Sequence, residues 1–327
     1  MRSDSRRDVL RMLGSLALGG ATAAPVRAAG WPARPVTLML PSGPGGGSDQ
    51  MLRLLAGKLQ EKWGQPVVVD YKPGANTVIG TELVLNAPPD GYLLGAALTA
   101  IMINPAIRER LPYDTQKDIA GLSLLGTSDF GMFAHPSFPV NSIPELIEYA
   151  RKNPGKLSYA TGGIGSGSHL AWELFNSMAG LKLVHVPYSR GGAAALVDVL
   201  AGHVPLLIDV AFGVMPTVQQ KKLKVLGLAS PSRSAIYPDV PLIADTVPNF
   251  STLSYMGVIG SARMPQELKA QISRDIRDVI RAPDTRERML GLGLNPVGST
   301  PEEYTSLIAS EVAKWRAVIK AADIKVS

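Results

Sequence analysis

Two glycine-rich segments of the sequence have the composition of anion-binding turns. The first runs from Pro41 to Asp49 and the second from Ala160 to His169. Each follows a short apolar run and precedes a helix-like pattern with a polar start. Glycines let successive backbone N–H groups converge, and a helix N-terminus adds unpaired donors and the positive end of its dipole. Such a turn suits a carboxylate or a phosphate. The alternative for either segment is a tight connection that holds no ligand.

Neither segment has the pattern of a nucleotide-binding loop. The sequence G-x-G-x-x-G fails at its sixth position, which is Ser48 counted from Gly43 and Ser168 counted from Gly163. The GK[ST] ending of a phosphate-binding P-loop is also absent. Ser48 and Ser168 are predicted instead to cap their helices. Two such turns, one in each predicted domain, suit a cleft that grips a small anion from both sides.

The sequence offers no strong constellation for catalysis or for metal binding. It has no cysteine and only four histidines, none of them in an HExxH helix. Ser166 lies outside a G-x-S-x-G turn. A serine hydrolase that uses Ser166 with His169 as its base is therefore a remote alternative, because His169 opens an apolar helix and suits a structural role. We predict no catalytic residue, no bound metal and no cofactor.

Size and charge limit the remaining classes. The 327 residues predict about two domains. The net charge of +6 is concentrated at the start, because residues 1–28 hold five arginines and two aspartates and the rest carries 28 basic and 25 acidic residues. A short lysine run at 221–224 is the nearest approach to a basic cluster, and nucleic-acid binding is not expected.

Residues 1–28 are predicted to be a cleavable signal peptide. Arg6 and Arg7 precede an apolar, small-residue stretch from Leu13 to Ala24, and a small-x-small site follows, with cleavage after Ala28 or Ala29. The paired arginines favour twin-arginine export, and an ordinary Sec signal is the alternative. The stretch is short and rich in glycine and alanine for a membrane span. We expect the mature protein in the periplasm.

The rest of the chain alternates strand-like and helix-like segments, which indicates an α/β protein with largely parallel sheets. Met51, Leu54, Leu55 and Leu59 recur at helical spacing after the first glycine segment, and a second helix is predicted from His169 to Met178. The predicted strands are 35–40, 67–69, 92–98, 156–160, 182–186, 206–208 and 224–228.

An ordered set of short motifs resembles the receptors of tripartite tricarboxylate transporters, also called Bordetella uptake-type (Bug) solute-binding proteins. None of the motifs is diagnostic alone, but they run in family order from about residue 31 to the C-terminus. They are Pro35–Leu38, the first glycine segment, Lys72–Asn76, Ile79–Gly80, Pro89–Tyr92, Asn104–Pro105, Leu111–Asp114, Pro154–Leu157, the second glycine segment, His185–Tyr188, Tyr237–Pro241, Thr300–Glu303 and Lys314–Trp315.

The resemblance implies a two-domain periplasmic binding protein of the Venus flytrap, type II-like architecture, with a ligand cleft between its lobes. One lobe would comprise residues 30–128 and 256–327, and the other residues 129–255. The chain would cross between the lobes twice. In this family the ligand is typically a small carboxylate, one end of which is held by N–H groups and hydroxyls of two glycine loops, partly through ordered waters.

Candidate ligand-binding residues follow from matched family positions. Those of the first half are Ser42, Gly46, Ser48, Asp49 and Asn76, and those of the second are Thr161, Gly162, Gly165, Ser166, Tyr188 and Asp209. A carboxylate at Asp49 would repel an anionic ligand, so its expected role is to cap backbone amides or to hold a water. Arg190 departs from the family pattern and is either a specificity residue at the far end of a dicarboxylate or a surface residue.

The implied function is capture of a small carboxylate and its delivery to a transporter. The ligand class is left open among di- and tricarboxylates, acidic amino acids and aromatic acids. The expected partners are a large and a small integral membrane permease subunit, and the receptor is expected to be a monomer. An orphan receptor that presents its ligand to a sensor kinase is the alternative within the class.

Overall fold

A computed structural model describes residues 30–321 of the protein, so the predicted signal peptide at residues 1–28 lies outside the described residues. The strands are β1 (Val36–Leu40), β2 (Val67–Tyr71), β3 (Leu93–Leu98), β4 (Ile119–Ala134), β5 (Ser158–Thr161), β6 (Val184–Pro187), β7 (Leu206–Val210), β8 (Lys224–Leu228), β9 (Leu253–Ser261) and β10 (Asn295–Pro296). The helices are α1 (Gly47–Trp63), α2 (Val78–Asn86), α3 (Ala100–Ile107), α4 (Ile143–Lys152), α5 (Gly167–Ala179), α6 (Gly192–Leu200), α7 (Ala211–Gln219), α8 (Gln266–Arg281), α9 (Pro283–Gly291) and α10 (Pro301–Ala321).

The strands form one hydrogen-bonded path with the long strand β4 near its middle. The order is β2-β1-β3-β9-β4-β7-β5-β6, and β8 and β10 also pair with β4. Ile119–Asp129 of β4 pairs with β9, whereas Phe130–Ala134 pairs with β7 and β8. We call the part from β2 to β9, with the start of β4 and β10, the first sheet half. The end of β4 with β5 to β8 is the second sheet half.

The sheet is mixed, so the expectation of largely parallel sheets is wrong at its centre. Strands β1, β2 and β3 are parallel, as are β5, β6 and β7. Strand β9 is antiparallel to both β3 and β4, and β4 is antiparallel to β7 and β8. The α/β character is confirmed, and its helices follow the parallel strands on each side.

The larger buried apolar clusters each lie within one sheet half, and a smaller one, formed by Ile103, Leu170 and Trp315, joins the two halves. Trp172, Phe175 and Phe250 belong to a large cluster of the second half, and all three are fully buried. A cluster of the first half includes Ile259 and Tyr304. Residues from Arg34 onward nevertheless form one compact unit. None of the helices in the described range is long and apolar enough to cross a membrane.

The helix predicted after the first glycine segment is present as α1. Met51, Leu55 and Leu59 are fully buried on one face, as their spacing predicts. The helix ends at Gly64, whose left-handed conformation (φ 64°) lets its N–H bond to the Gln60 carbonyl. The 3.6-residue apolar repeat thus fixes how α1 packs, and the start of α1 is presented at the carboxyl end of β1.

Removal of the Phe250 side chain is expected to cost much of the folding stability. Phe250 is fully buried and packs edge-on against Phe175 with ring centroids 5.9 Å apart. Phe250→Ala should lower the free energy of unfolding by about 3–5 kcal/mol, measured by urea denaturation. The control is Val197→Ala on α6, where the side chain is 64% exposed and the change should stay within about 0.5 kcal/mol. Equal losses in both variants would contradict this account of the core.

Candidate functional site

The first glycine loop, residues 41–49, carries the chain from the end of β1 into α1. Gly46 is the N-cap and the helix begins at Gly47, so the prediction that Ser48 caps the helix is wrong. Ser48 lies in the first turn, where its side chain is partly exposed. Gly47 and Ser48 supply the first two N–H groups of the helix, which an α-helix leaves without internal partners. The loop thus presents main-chain donors.

Asp49 turns back onto its own loop. Its carboxylate accepts hydrogen bonds from Gly45 N at 2.9 Å, Tyr71 Oη at 2.7 Å and Arg53 Nε at 2.9 Å, and the residue is 5% exposed. Burial alone would raise the pKa of Asp49, but these hydrogen bonds and the Arg53 charge hold it below its usual value. Asp49 is therefore an ionised brace for the glycine loop.

The second glycine loop, residues 160–169, leads from β5 into α5. The helix begins at Gly167 and its cap is Ser166, whose Oγ accepts a hydrogen bond from His169 N at 3.2 Å. The prediction that Ser168 is the cap is wrong by two residues. Ser168 Oγ instead accepts from Gly162 N at 3.1 Å and lies 3.0 Å from Ser166 Oγ.

The two serine hydroxyls leave one proton to donate. Both oxygens already accept a backbone N–H, and one hydroxyl donates to the other across their 3.0 Å contact. The second hydroxyl proton is then available to another acceptor. Gly167 and Ser168 add the first two N–H groups of α5.

Two stacked histidines support the second glycine loop from behind. His169 Nδ1 accepts from Gly165 N at 3.1 Å, and His185 Nε2 lies 2.6 Å from Thr161 Oγ1, to which Gly163 N donates at 3.2 Å. The ring centroids are 4.0 Å apart. Burial lowers the pKa of His169 to about 3, with a further contribution from His185, and burial lowers the pKa of His185 to about 4. Both rings are neutral at neutral pH.

This geometry argues against a Ser166–His169 catalytic pair. Ser166 Oγ bonds to the backbone N–H of His169, and the ring atom Nδ1 of His169 is occupied by Gly165 N–H. A base with a pKa of about 3 is also poorly matched to proton abstraction near neutral pH.

Asn76 joins the first sheet half to the second glycine loop. Its Nδ2 donates to Gly165 O at 2.8 Å and to Asn104 Oδ1 at 3.0 Å, while Asn104 Nδ2 donates to Asn76 O at 2.8 Å. Asn104 is fully buried and fixes the orientation of Asn76. Ala75, Asn76 and Thr77 all have left-handed backbones, with φ of 46°, 53° and 75°.

Tyr188 and Asp209 lie around the start of α6. Tyr188 Oη donates to Asp198 Oδ2 at 2.6 Å, and burial together with Asp198 raises the pKa of Tyr188 to about 12. Asp209 lies directly against Gly192, where a Cβ would be 1.8 Å from Asp209 Oδ2. Burial raises the pKa of Asp209 to about 6 despite a 2.8 Å hydrogen bond from Val210 N. Arg190 is exposed on the preceding turn.

Phe212 is a residue of this region that the sequence reasoning missed. Its ring, carried by the first turn of α7, lies against Gly47 at the start of α1. Nothing in the sequence near Phe212 signals this contact, because the two residues are 165 positions apart.

A surface groove of about 550 Å³ lies elsewhere on the protein. Arg108, Tyr113 and Arg316 are among the residues that line it, and none of the candidate residues does.

Comparisons with known proteins find a matching family profile and similar folds. A sequence profile of the tripartite tricarboxylate transporter family receptor matches residues 51–324. The structure of Rpa4515 of R. palustris with adipate is similar with a TM-score of 0.87 at 30% identity, covering 90% of this chain and 99% of that chain. The periplasmic binding protein BugD gives 0.84 at 28% identity, covering 90% and 99%. MatC from Rhodopseudomonas palustris with bound malate gives 0.82 at 26% identity, covering 88% and 100%.

Because His169 and His185 are buried in the neutral form, we expect the free energy of unfolding to fall as the pH is lowered below about 6.5. Unfolded histidines take up protons as the pH falls through about 6.5, whereas the folded pair stays neutral until about pH 4 and about pH 3. Stability is therefore complete above pH 6.5 and declines below it, by up to ~1.4 kcal/mol per pH unit for each histidine. His185→Gln should flatten this decline in urea denaturation at pH 7, 6 and 5. The exposed His203→Gln is the control, and a His185→Gln slope equal to that of the unmodified protein would refute the assignment.

Proposed function

Because the chain belongs to the tripartite tricarboxylate transporter receptor family, we propose that it is a periplasmic receptor that captures a small carboxylate and delivers it to a secondary transporter of the same tripartite type. The family indicated by the ordered sequence motifs is confirmed, and so is the α/β binding-protein fold. The bound adipate and malate of two similar structures favour a carboxylate as the ligand here as well.

The observation that carries the proposal is the hydrogen bond that joins the first sheet half to the second glycine loop. The first loop leads into α1 and the second into α5, and Asn76 links the first half to Gly165 of the second loop at 2.8 Å. Each helix start offers two main-chain donors, and the serine pair offers a hydroxyl. Hydrogen bonds to a charged group contribute about 1.5–3 kcal/mol each.

The proposed ligand contacts divide into donors and residues that position them. Gly46, Ser48 and Ser42 would face the ligand from the first loop, and Ser166 from the second. Thr161, Gly162 and Gly165 use their polar groups to hold the second loop in shape. Asn76 would bridge the closed cleft, and Asp49 would brace the first loop.

Asp209, Tyr188 and Arg190 would lie toward the far end of the ligand. Burial raises the pKa of Asp209 to about 6, so its protonated fraction near neutral pH is larger than that of an ordinary aspartate. Arg190 is exposed two residues after Tyr188, and we propose it either as the partner of a second carboxylate or as a surface residue.

Ligand capture would involve movement of two lobes, residues 30–128 with 256–327 and residues 129–255. The larger apolar clusters each lie within one sheet half, which supports this division, and the contact of Leu170 with Ile103 and Trp315 would be broken or would shift when the lobes separate. Strand β4 passes from one half to the other between Asp129 and Phe130. The Asn76–Gly165 hydrogen bond joins the lobes and would break on opening.

Delivery would take place at a membrane permease made of a large and a small subunit, after export directed by residues 1–28. We propose that the receptor is a monomer. Presentation of the ligand to a sensor kinase would use the same cleft and differs only in the downstream partner.

The proposal predicts that carboxylates stabilise the purified protein. Residues 29–327, unfolded and refolded to remove bound ligand, should melt a few degrees higher with a matching di- or tricarboxylate, acidic amino acid or aromatic acid at 100 times its dissociation constant, which adds about 2.7 kcal/mol. The corresponding diamides should give no shift, because they lack the charge that the helix starts attract. ATP serves as the nucleotide control. A response to ATP alone, or an acid consumed instead of being returned unchanged, would overturn the receptor function.

The second glycine loop is tested by Ser166→Ala. Loss of its hydrogen bond should weaken carboxylate binding by about 1–3 kcal/mol in titration calorimetry. Because Ser166 also caps α5, the melting temperature without ligand should fall as well, corresponding to about 1 kcal/mol. Ser177→Ala on the exposed face of the same helix is the control for both measurements. Unchanged affinity in Ser166→Ala would remove the second loop from the site.

A further inference from the structure

The aromatic ring of Phe212 occupies the space where a side chain at Gly47 would lie. A Cβ on Gly47 would be 1.4 Å from Phe212 Cε2 and 2.3 Å from its Cζ. Gly47 is the first residue of α1, and its N–H is one of the donors at the proposed carboxylate position. The contact joins α7 of the second sheet half to the first glycine loop.

The backbone of Phe212 is held on its other side by Gly293. A Cβ on Gly293, which has a φ of 80°, would lie 2.6 Å from Phe212 Cβ and 2.3 Å from Tyr237 Oη. The Gly293 carbonyl accepts a hydrogen bond from the buried Ser128 Oγ at 3.2 Å. Phe212 is therefore packed between two glycines, and the position of its ring beside α1 is set by these contacts.

A phenylalanine ring next to main-chain donors would affect which substituents a bound carboxylate can carry. If the donors at the start of α1 bind a carboxylate, the ring beside Gly47 would offer only apolar contact to the ligand carbon next to that carboxylate. A hydroxyl on the neighbouring carbon would lose its water at this surface and gain no hydrogen bond in return, which is unfavourable. A methylene or aromatic carbon at the same place gains from leaving water.

We propose that Phe212 is a specificity-determining residue that selects carboxylates with an unsubstituted hydrocarbon or aromatic carbon beside the bound carboxylate, over their 2-hydroxy analogues. The inference rests on the proposed function, because it assumes that a carboxylate binds at the start of α1. The inference narrows the proposed substrate class from carboxylates in general to carboxylates whose carbon atom beside the bound carboxylate carries no hydroxyl.

The test uses succinate and malate, which differ by one hydroxyl group. Titration calorimetry of the unmodified protein should give a dissociation constant at least tenfold lower for succinate. Phe212→Ala should reduce this ratio to below threefold, mainly by weakening succinate binding, and Phe212→Leu should preserve most of it. Gly47→Ala should act like Phe212→Ala, because the added methyl displaces the ring. Gly57→Ala, on the exposed face of α1 with open space around it, is the matched control.

The possible results distinguish failure of the proposed receptor function from failure of the proposed role of Phe212. If the unmodified protein binds neither acid nor any other carboxylate, the proposed function fails and the inference fails with it. If it binds carboxylates but prefers malate, or if Phe212→Ala leaves the succinate-to-malate ratio unchanged, the inference alone is overturned. A preference for malate in the unmodified protein overturns the inference without any variant, and Phe212→Leu and Gly47→Ala test the role of the ring if Phe212→Ala does not fold.

Discussion

The backbone of Gly165 is held by a hydrogen bond on each side of its Cα, and the geometry of the candidate site depends on it. Its N–H donates to the ring nitrogen of His169 behind the loop, and its carbonyl accepts from Asn76 on the other sheet half. A glycine loop has many accessible backbone conformations, and ordering it costs conformational entropy. One hydrogen bond on each of the two peptide groups that flank the Gly165 Cα restricts the loop backbone just before α5 begins. The neutral state of His169 is part of this constraint, because a protonated Nδ1 has no lone pair to offer.

The residue of the first sheet half that bonds to Gly165, Asn76, lies in a backbone segment of unusual conformation. Three successive non-glycine residues, Ala75 to Thr77, have positive φ, and a β-branched threonine in that region costs on the order of 1–3 kcal/mol. The hydrogen bonds between Asn76 and the fully buried Asn104 offset part of this cost and aim the amide of Asn76 at Gly165. Asp49 has a similar bracing role on the first loop, where its carboxylate ties together Gly45, Tyr71 and Arg53.

Local patterns in the sequence predicted the local parts of this structure. The apolar repeat of α1 and the strand-to-glycine transitions after β1 and β5 depend on neighbouring residues, and all three are present. The caps were predicted two residues too late, because several glycines and serines in a row offer alternative helix starts and the choice among them depends on contacts such as that of Ser168 with Gly162. Strands β4 and β9 were missed because their pairing is long-range. The position of Phe212 against Gly47 is set by packing between distant segments, which no local pattern encodes.

The continuity of β4 also bears on how such a protein can evolve. Its sixteen residues supply hydrogen-bonding partners to β9 on one side of the boundary and to β7 and β8 on the other. A genetic exchange that cut the chain between Asp129 and Phe130 would separate β9 from its partners β3 and the start of β4, and would leave the first sheet half with open edges. A single cut at this boundary therefore cannot exchange one half for another. Substitutions within the loops and helix starts change groups beside the candidate site without breaking this ladder.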